Sequence, residues 1–343
     1  PALIFTAVNH GSAAASGWGI PTATDIAFAV GILSILGDRV PVSLKVFLTA
    51  LAIADDLIAI LVVALFYGGT INFGLLSIAF VLIALVLLMN KLGEKRGWFY
   101  LVPAIAIWSL FYYAGIHSTM SGVVMAFLVP MTPRFNEAYF HRKRLQYIRR
   151  LNEYNGIAST STEFPNGPQR HCLRRLSAIS RDSIGMSYRL EHALGPWVNF
   201  LIMPIFALAN AGVEIPDVSY FNVFQFDQAL GSVSMGIFLG LVLGKPLGIS
   251  LASFIAVKLH VGEMPAKASW VMLIAVACLG GIGFTMSIFV DTLSFGDQAP
   301  EITARLRDMG KVAVLMGSLC AGILGSILIN IVHGIESRKA VKA

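Results

Sequence analysis

Apolar residues run along the chain in blocks at 19–36, 43–67, 73–90, 99–113, 115–131, 196–212, 230–258, 267–293 and 309–333. A hydrocarbon core about 30 Å thick needs about 20 such residues per helical crossing. The pattern therefore predicts nine membrane helices. Several blocks nearly touch, which implies tight helical hairpins, and 230–258 is long enough to tilt or to include a surface helix. The expected fold class is an all-α polytopic membrane protein. The expected divisions are an N-terminal membrane part at 1–131, a basic loop at 132–195, a C-terminal membrane part at 196–333 and a tail at 334–343. Residues 1–9 are apolar but too short to cross and carry no initiator Met, so they read as the end of a severed helix with no signal peptide in view.

Composition narrows the class. The chain is 56% hydrophobic and 13% charged, about half the charged fraction of a soluble domain, which excludes a water-soluble globule. Cys172, Cys278 and Cys320 are odd in number, far apart and outside any CxxC spacing. They argue against a disulfide framework, a structural zinc or redox chemistry, and no cofactor is expected.

The net charge of +6 points away from nucleic acid because of where it sits. From Thr132 to Leu190 there are 11 Lys/Arg against 4 Asp/Glu, a local balance of +7, which leaves −1 for the rest. This stretch reads as an extramembrane loop with a short amphipathic helix around Tyr139 to Leu151. It is either a solvated linker or a surface for anionic lipid headgroups, worth about 1 kcal/mol per basic residue. Threading the blocks alternately places 21 of 25 basic residues on one side. The other side receives Arg305, Arg307 and Lys311 with acidic Glu214, Asp217, Asp227, Asp297 and Glu301. The positive-inside rule makes the first side, with the basic loop and the C-terminus, cytoplasmic.

Four ionisable residues remain inside the blocks. Asp55 and Asp56 sit mid-block in Ala50-Leu-Ala-Ile-Ala-Asp-Asp-Leu, Asp25 in Pro21-Thr-Ala-Thr-Asp, and Lys245 in Leu243-Gly-Lys-Pro. Each costs about 2.5–3.5 kcal/mol at mid-membrane on insertion scales, and three acids with one base favour a cation. Consecutive helical positions differ by about 100°, so one aspartate can face an ion while the other reaches a neighbouring helix. A carboxylate placed there needs a proton or a metal ion and does not comfortably hold both. Competition for the site would couple the two. The bland alternative is a structural ion pair between Lys245 and one aspartate.

Pro21 with Thr22 to Asp25, and Gly280, Gly281 and Gly283, interrupt two blocks. Opened backbone at membrane depth is tolerable only where it lines a polar cavity or is buried in protein, and paired breaks point to a transporter site. Close glycine-mediated helix packing is the alternative. Asp291 lies near the end of its block and is expected to be interfacial and solvated.

Five ordered motifs carry a family resemblance: Thr24-Asp-Ile-Ala-Phe-Ala, Leu51-Ala-Ile-Ala-Asp-Asp-Leu, Phe206-Ala-Leu-Ala-Asn-Ala-Gly-Val, Gly244-Lys-Pro-Leu-Gly-Ile-Ser and Gly281-Ile-Gly-Phe-Thr-Met-Ser. Together they resemble the bacterial NhaA sodium/proton antiporters. The resemblance implies an inverted-repeat fold with two discontinuous crossing helices in the inner membrane. It implies no enzyme, but a pH-regulated, electrogenic exporter of Na+ or Li+ driven by protons. Asp55 and Asp56 would then be the ion-binding, proton-carrying pair that holds Na+, with Thr24 and Asp25 supporting at the crossing and Lys245 pairing with Asp55. His117, Glu191 and His192 match positions tied to the family's pH response. At His117 a packing histidine is the alternative, and Gly195 stands where a histidine is sometimes found. The resemblance is compatible with a homodimer, although the family's first two helices, most of the third and the associated dimerisation loop are missing from this sequence.

A channel or uniporter on the same scaffold is the competing function. An intramembrane protease built on Ser118, Ser121 and His117 lacks any HExxH or GxSxG motif.

Overall fold

Proline, glycine and side-chain caps decide where the apolar blocks become helices and where those helices break. The structure, a computed structural model, describes residues 1–67, 71–94, 96–133, 135–157, 165–210, 212, 223, 231–266, 268–295 and 300–342. Ala2–Val8 (α1) leads through a 3-10 segment, Ala13–Thr22, to Ile26–Leu36 (α2), and Pro41 precedes the 25-residue helix Val42–Phe66 (α3). Asn72 caps Phe73–Lys91 (α4), accepting from the amides of Gly74 and Leu75. Trp98–Ala114 (α5) stops at Gly115, whose left-handed backbone suits a residue without a Cβ, and Thr119–Leu128 (α6) follows.

Next come Glu137–Ile157 (α7), Gly167–Asp182 (α8) and Met186–Trp197 (α9), which runs through a π-helical stretch into Met203–Asn210 (α10). Val233–Leu239 (α11) passes through a second π-helical stretch, Gly240–Gly244, into Lys245–Lys258 (α12). Trp270–Leu279 (α13), Phe284–Ser294 (α14) and Pro300–Lys342 (α15) complete the chain.

The described residues are overwhelmingly helical, which bears out the all-α polytopic class. Among the described residues, five helices are long and apolar enough to cross a membrane: Val42–Phe66, Phe73–Lys91, Met186–Asn210, Val233–Lys258 and Pro300–Glu336. Two further crossings are bent pairs, Ala13–Thr22 with Ile26–Arg39 at 41° and Trp270–Leu279 with Phe284–Ser294 at 53°. The shorter apolar helices α5 and α6 fall on the blocks 99–113 and 115–131. Large apolar side chains such as Leu61, Leu65, Phe80, Val81 and Leu319 lie more than half exposed, as a lipid-facing surface requires.

The basic stretch is more ordered than expected. Besides a helix longer than Tyr139 to Leu151, it contains α8, started by a capping box in which Asn166 and Gln169 satisfy each other's backbone. Glu214, Asp217, Asp227 and Asp297 lie outside the described residues.

The chain forms two compact units, 1–68 with 202–343, and 69–201. The second unit has its own core, from Ala79 and Val86 of α4, Tyr100, Ile107 and Phe111 of α5, and Met125 and Leu128 of α6. The first unit has two apolar clusters. One joins α2, the start of α3, α13 and the far half of α15 through Ala29, Leu33, Leu44, Leu48, Val276 and Ile329. The other joins α1, the 3-10 segment, the end of α3, α11 and α14 through Phe5, Ile20, Val63, Ile237 and Ile288. Between the two clusters lie the polar residues Thr24 and Asp25 at the first break, Asp55 and Asp56 on α3, Thr285 at the start of α14 and Ser318 on α15.

At the second break a Cβ on Gly281 would strike the Leu241 carbonyl, whereas one on Gly31 in α2 would meet open space. Gly281→Val is expected to cost about 1–3 kcal/mol through overpacking and Gly31→Ala to leave the protein equally or slightly more stable. Thermal unfolding of the purified protein in detergent checks both.

Candidate ion-binding site

The buried stripe of α3, Leu44, Leu48, Ala52, Ala59 and Val63, repeats at helical spacing, and Asp55 and Asp56 fall in its gap. Each is one turn from both Ala52 and Ala59, so both reach the interior at slightly different angles. Asp55 takes a partner. Its Oδ2 lies 2.5 Å from the ammonium of Lys245, with side chains 22% and 5% exposed respectively. The same oxygen lies 2.8 Å from the hydroxyl of Thr24. Asp56 keeps one oxygen, Oδ1, buried and without a hydrogen-bond partner, within electrostatic reach of Asp25, Asp55 and Lys245. One carboxyl engaged and one held open is the division that consecutive helical positions allow.

Lys245 stands at the start of α12, after the π-helical stretch, and also donates to Thr24 Oγ1 at 2.9 Å. Thr24 therefore joins three parts. It accepts from Lys245, and its single proton goes either to Asp55 or to the Gly280 carbonyl at 3.0 Å. That carbonyl is at the C-terminal end of α13.

The two breaks meet. The amide of Asp25 donates to the Ile282 carbonyl at 2.6 Å, and the Asp25 carboxylate caps two helices at once. Its Oδ1 accepts from the Phe28 amide at 3.2 Å at the start of α2. Its Oδ2 accepts from the Thr285 amide at 3.0 Å and the Thr285 hydroxyl at 2.5 Å at the start of α14. A carboxylate at a helix N-terminus is worth about 0.3–1 kcal/mol, and up to about 2 where partly buried; here it serves two N-termini. Ser318 of α15 accepts from the amides of Gly283 and Phe284 at 3.2 and 3.1 Å. Pro21 lies within the 3-10 segment, tight against Gly240.

The glycines of the second break are closely enclosed: Gly280 by Ile249, Gly281 by Leu241, Gly283 by Ser287. Their role is close approach, which also lets backbone groups face the crossing. Among the described residues no three His, Cys, Asp or Glu side chains converge on one metal position.

A family model described as Na+/H+ antiporter 1 matches residues 1–329. A protein of Oleidesulfovibrio alaskensis named Na+/H+ antiporter NhaA is 40% identical over 341 residues, 99% of this chain and 73% of that protein. One of the same name from Syntrophobacter fumaroxidans is 42% identical over 327 residues, covering 95% of this chain and 67% of its own length. Another, from Bacteroides thetaiotaomicron, is 38% identical over 340 residues, 99% of this chain and 74% of that protein. The chain belongs to the NhaA Na+/H+ antiporter family.

Within this NhaA chain the polar layer gathers Thr24, Asp25, Asp55, Asp56, Lys245 and the glycine break in one unit. His117, Glu191 and His192 lie in the other unit. His117 is partly buried between α5 and α6, and its carbonyl accepts from Met120. Glu191 and His192 are exposed on α9, where the His192 ring lies 4.1 Å from that of Tyr188.

Sequence reasoning missed Thr285 and Ser318 as caps, although Thr285 stood inside a quoted motif. It misplaced Asp291, which is wholly buried rather than solvated. The reason is α15, which packs along α14 and covers the end of the block.

Removing one partner of a buried ion pair costs about 3–5 kcal/mol, because the other charge stays desolvated. Lys245→Met is expected to destabilise the protein on that scale, and the double variant Lys245→Met/Asp55→Asn to recover most of the loss. Melting of the two single variants and the double variant, taken as a cycle, checks this. Additive losses would contradict the pairing.

Proposed function

We propose that this chain is a secondary active antiporter that exports Na+ or Li+ in exchange for protons, and that H+ and the metal ion compete for Asp55 and Asp56. The family supports Na+/H+ antiport. The observation that carries the finer reading is the open oxygen of Asp56, buried at membrane depth beside a carboxylate already held by a lysine. A lone ionised carboxylate in low dielectric is costly, so Asp56 needs a proton or a cation. An alkali cation takes oxygen ligands in place of its hydration shell. Two carboxylates, the Thr24 hydroxyl and the Gly280 carbonyl offer such a set.

In this reading, an arriving cation supplies the positive charge that Lys245 gives Asp55, so the ammonium is released as the ion binds and recaptured as it leaves. A bound cation and a full complement of protons exclude one another, and that exclusion is the coupling. Exchange of more than one proton for one monovalent cation moves net charge, the proposed source of electrogenicity. Charge placement in the sequence supports an orientation with α7, α8 and the C-terminus in the cytoplasm, in the inner membrane. The pH regulation implied by the resemblance is assigned to His117, Glu191 and His192.

Reconstituted in vesicles carrying a proton gradient, the protein is expected to dissipate that gradient when Na+ or Li+ is added. Asp56→Asn should reduce the response to that of protein-free vesicles, because an amide neither releases a proton nor supplies charge. Coupled exchange retained in Asp56→Asn would remove that residue from the mechanism. The ratio of charge to sodium moved separates antiport from a channel or uniporter, which passes sodium with no counter-movement of protons.

A further inference from the structure

A further acid in the membrane-spanning part of the first unit stands apart from the polar layer. Asp291, on α14, is 0% exposed, and neither carboxyl oxygen has a hydrogen-bond partner. The carboxyl presses against the backbone of α15 at Gly310, where any Cβ would collide with its Oδ1 and Cγ. The absence of a side chain at Gly310 is what makes room for the group.

The charged side chains that act on it all come from α15: Arg307, Asp308 and Lys311. No ion pair joins Asp291 to Arg307 or Lys311. The Lys311 ammonium instead donates to the Gly212 carbonyl at 2.8 Å, and Arg307 holds its Nε buried and without a partner. Among the described residues, the other elements packed on α14 offer no alternative. The 3-10 segment Ala13–Thr22 and α10 contain no titratable residue. On the α3 side, Asp55 and Asp56 belong to the polar layer, and Tyr67, just beyond the helix, interacts with Ser294 and donates to the Ser16 carbonyl. Asp291 is thus a fully desolvated carboxyl with no donor, within the electrostatic reach of a guanidinium that is not paired with it.

We infer that Asp291 is a second proton-binding site: its carboxyl holds a proton in this arrangement and releases it to alkaline surroundings, after which Arg307 closes onto the carboxylate. A proton removes the cost of an unpaired buried charge. Its loss leaves one negative charge, which the permanently cationic guanidinium of Arg307 takes up through its unpartnered Nε–H. The step is a reversible dissociation of one proton from one carboxyl to solvent, with no other co-reactant. This inference does not depend on the antiport reading, because it concerns a carboxyl outside the Asp55 and Asp56 layer.

Infrared difference spectroscopy of the full chain in lipid, titrated from neutral to alkaline pH, tests it. The unaltered protein is expected to show the carbonyl stretch of a protonated carboxylic acid that fades as pH rises. Asp291→Asn should lose the part of that band which Asp291 contributes, whatever Asp56 adds, and Asp291→Glu, which keeps the acid, should shift that part without removing it. Arg307→Gln, which removes the waiting counter-charge, should retain the band at pH values where the unaltered protein has lost it. A spectrum unchanged by both substitutions at position 291 would mean that Asp291 is ionised and paired, and would overturn the proposal. So would a band assigned to Asp291 that persists at every pH at which the protein stays folded. The readout requires no transport, so a failure of Na+-driven proton flux in the unaltered protein would count against the antiport reading alone.

Discussion

Backbone amides and carbonyls at membrane depth must find partners inside the protein, and everything distinctive in the first unit follows from how two broken helices meet that demand. An unbroken helix satisfies itself. A helix opened at Ala23 to Asp25, or at Gly280 to Gly283, leaves free amides at the start of its second half and free carbonyls at the end of its first. The two openings largely solve the problem for each other. Asp25 gives its amide to Ile282 and takes amides from both Phe28 and Thr285, while Ser318 takes those of Gly283 and Phe284.

The same geometry settles the charges. Asp25 faces the positive ends of α2 and α14, so its negative charge is offset by helix ends without any lysine. Lys245 sits where Thr24 touches the carbonyl end of α13, and Asp55 neutralises it directly. Each ionised group but one therefore has a fixed counter-charge. The exception is Asp56, which shares the attraction of a lysine already committed and feels two other acids. The layer carries one carboxylate more than its fixed counter-charges balance. In the proposed reading a single monovalent cation restores that balance.

Much of this was legible in the sequence because the signals are expensive. Aspartates and a lysine inside apolar blocks demand a reason, and Pro21 and the glycines around Gly281 mark the breaks to within a few residues. The hydroxyl caps were not legible. Ser34, Thr49, Ser77 and Ser109 all donate to the carbonyl one turn back in their own helices, the usual behaviour of such residues in membrane helices. Nothing local distinguishes Ser318 or Thr285 from them, since their partners are brought in by the crossing. Asn166 and Gln169, by contrast, spell a readable capping box that the charge-dominated reading of the basic stretch passed over. Asp291 was misplaced because distance from a block end says nothing about which helix lies alongside.

Position along α14 relates the two acidic sites to each other. Thr285 and Asp291 are six residues apart, about 9 Å along a helix rising 1.5 Å per residue. The half-helix that Asp25 caps at its first turn thus carries Asp291 fewer than two turns later. α14 is short, packs against the 3-10 segment and α15, and begins at the break, where Ser318 and Asp25 take its first amides. The Asp25 to Thr285 contact and the seat of Asp291 against Gly310 are features of one short helix. The break therefore does more than expose polar backbone. It turns half a membrane span into a short helix whose first turn is capped by Asp25 and whose last turns carry Asp291 against Gly310.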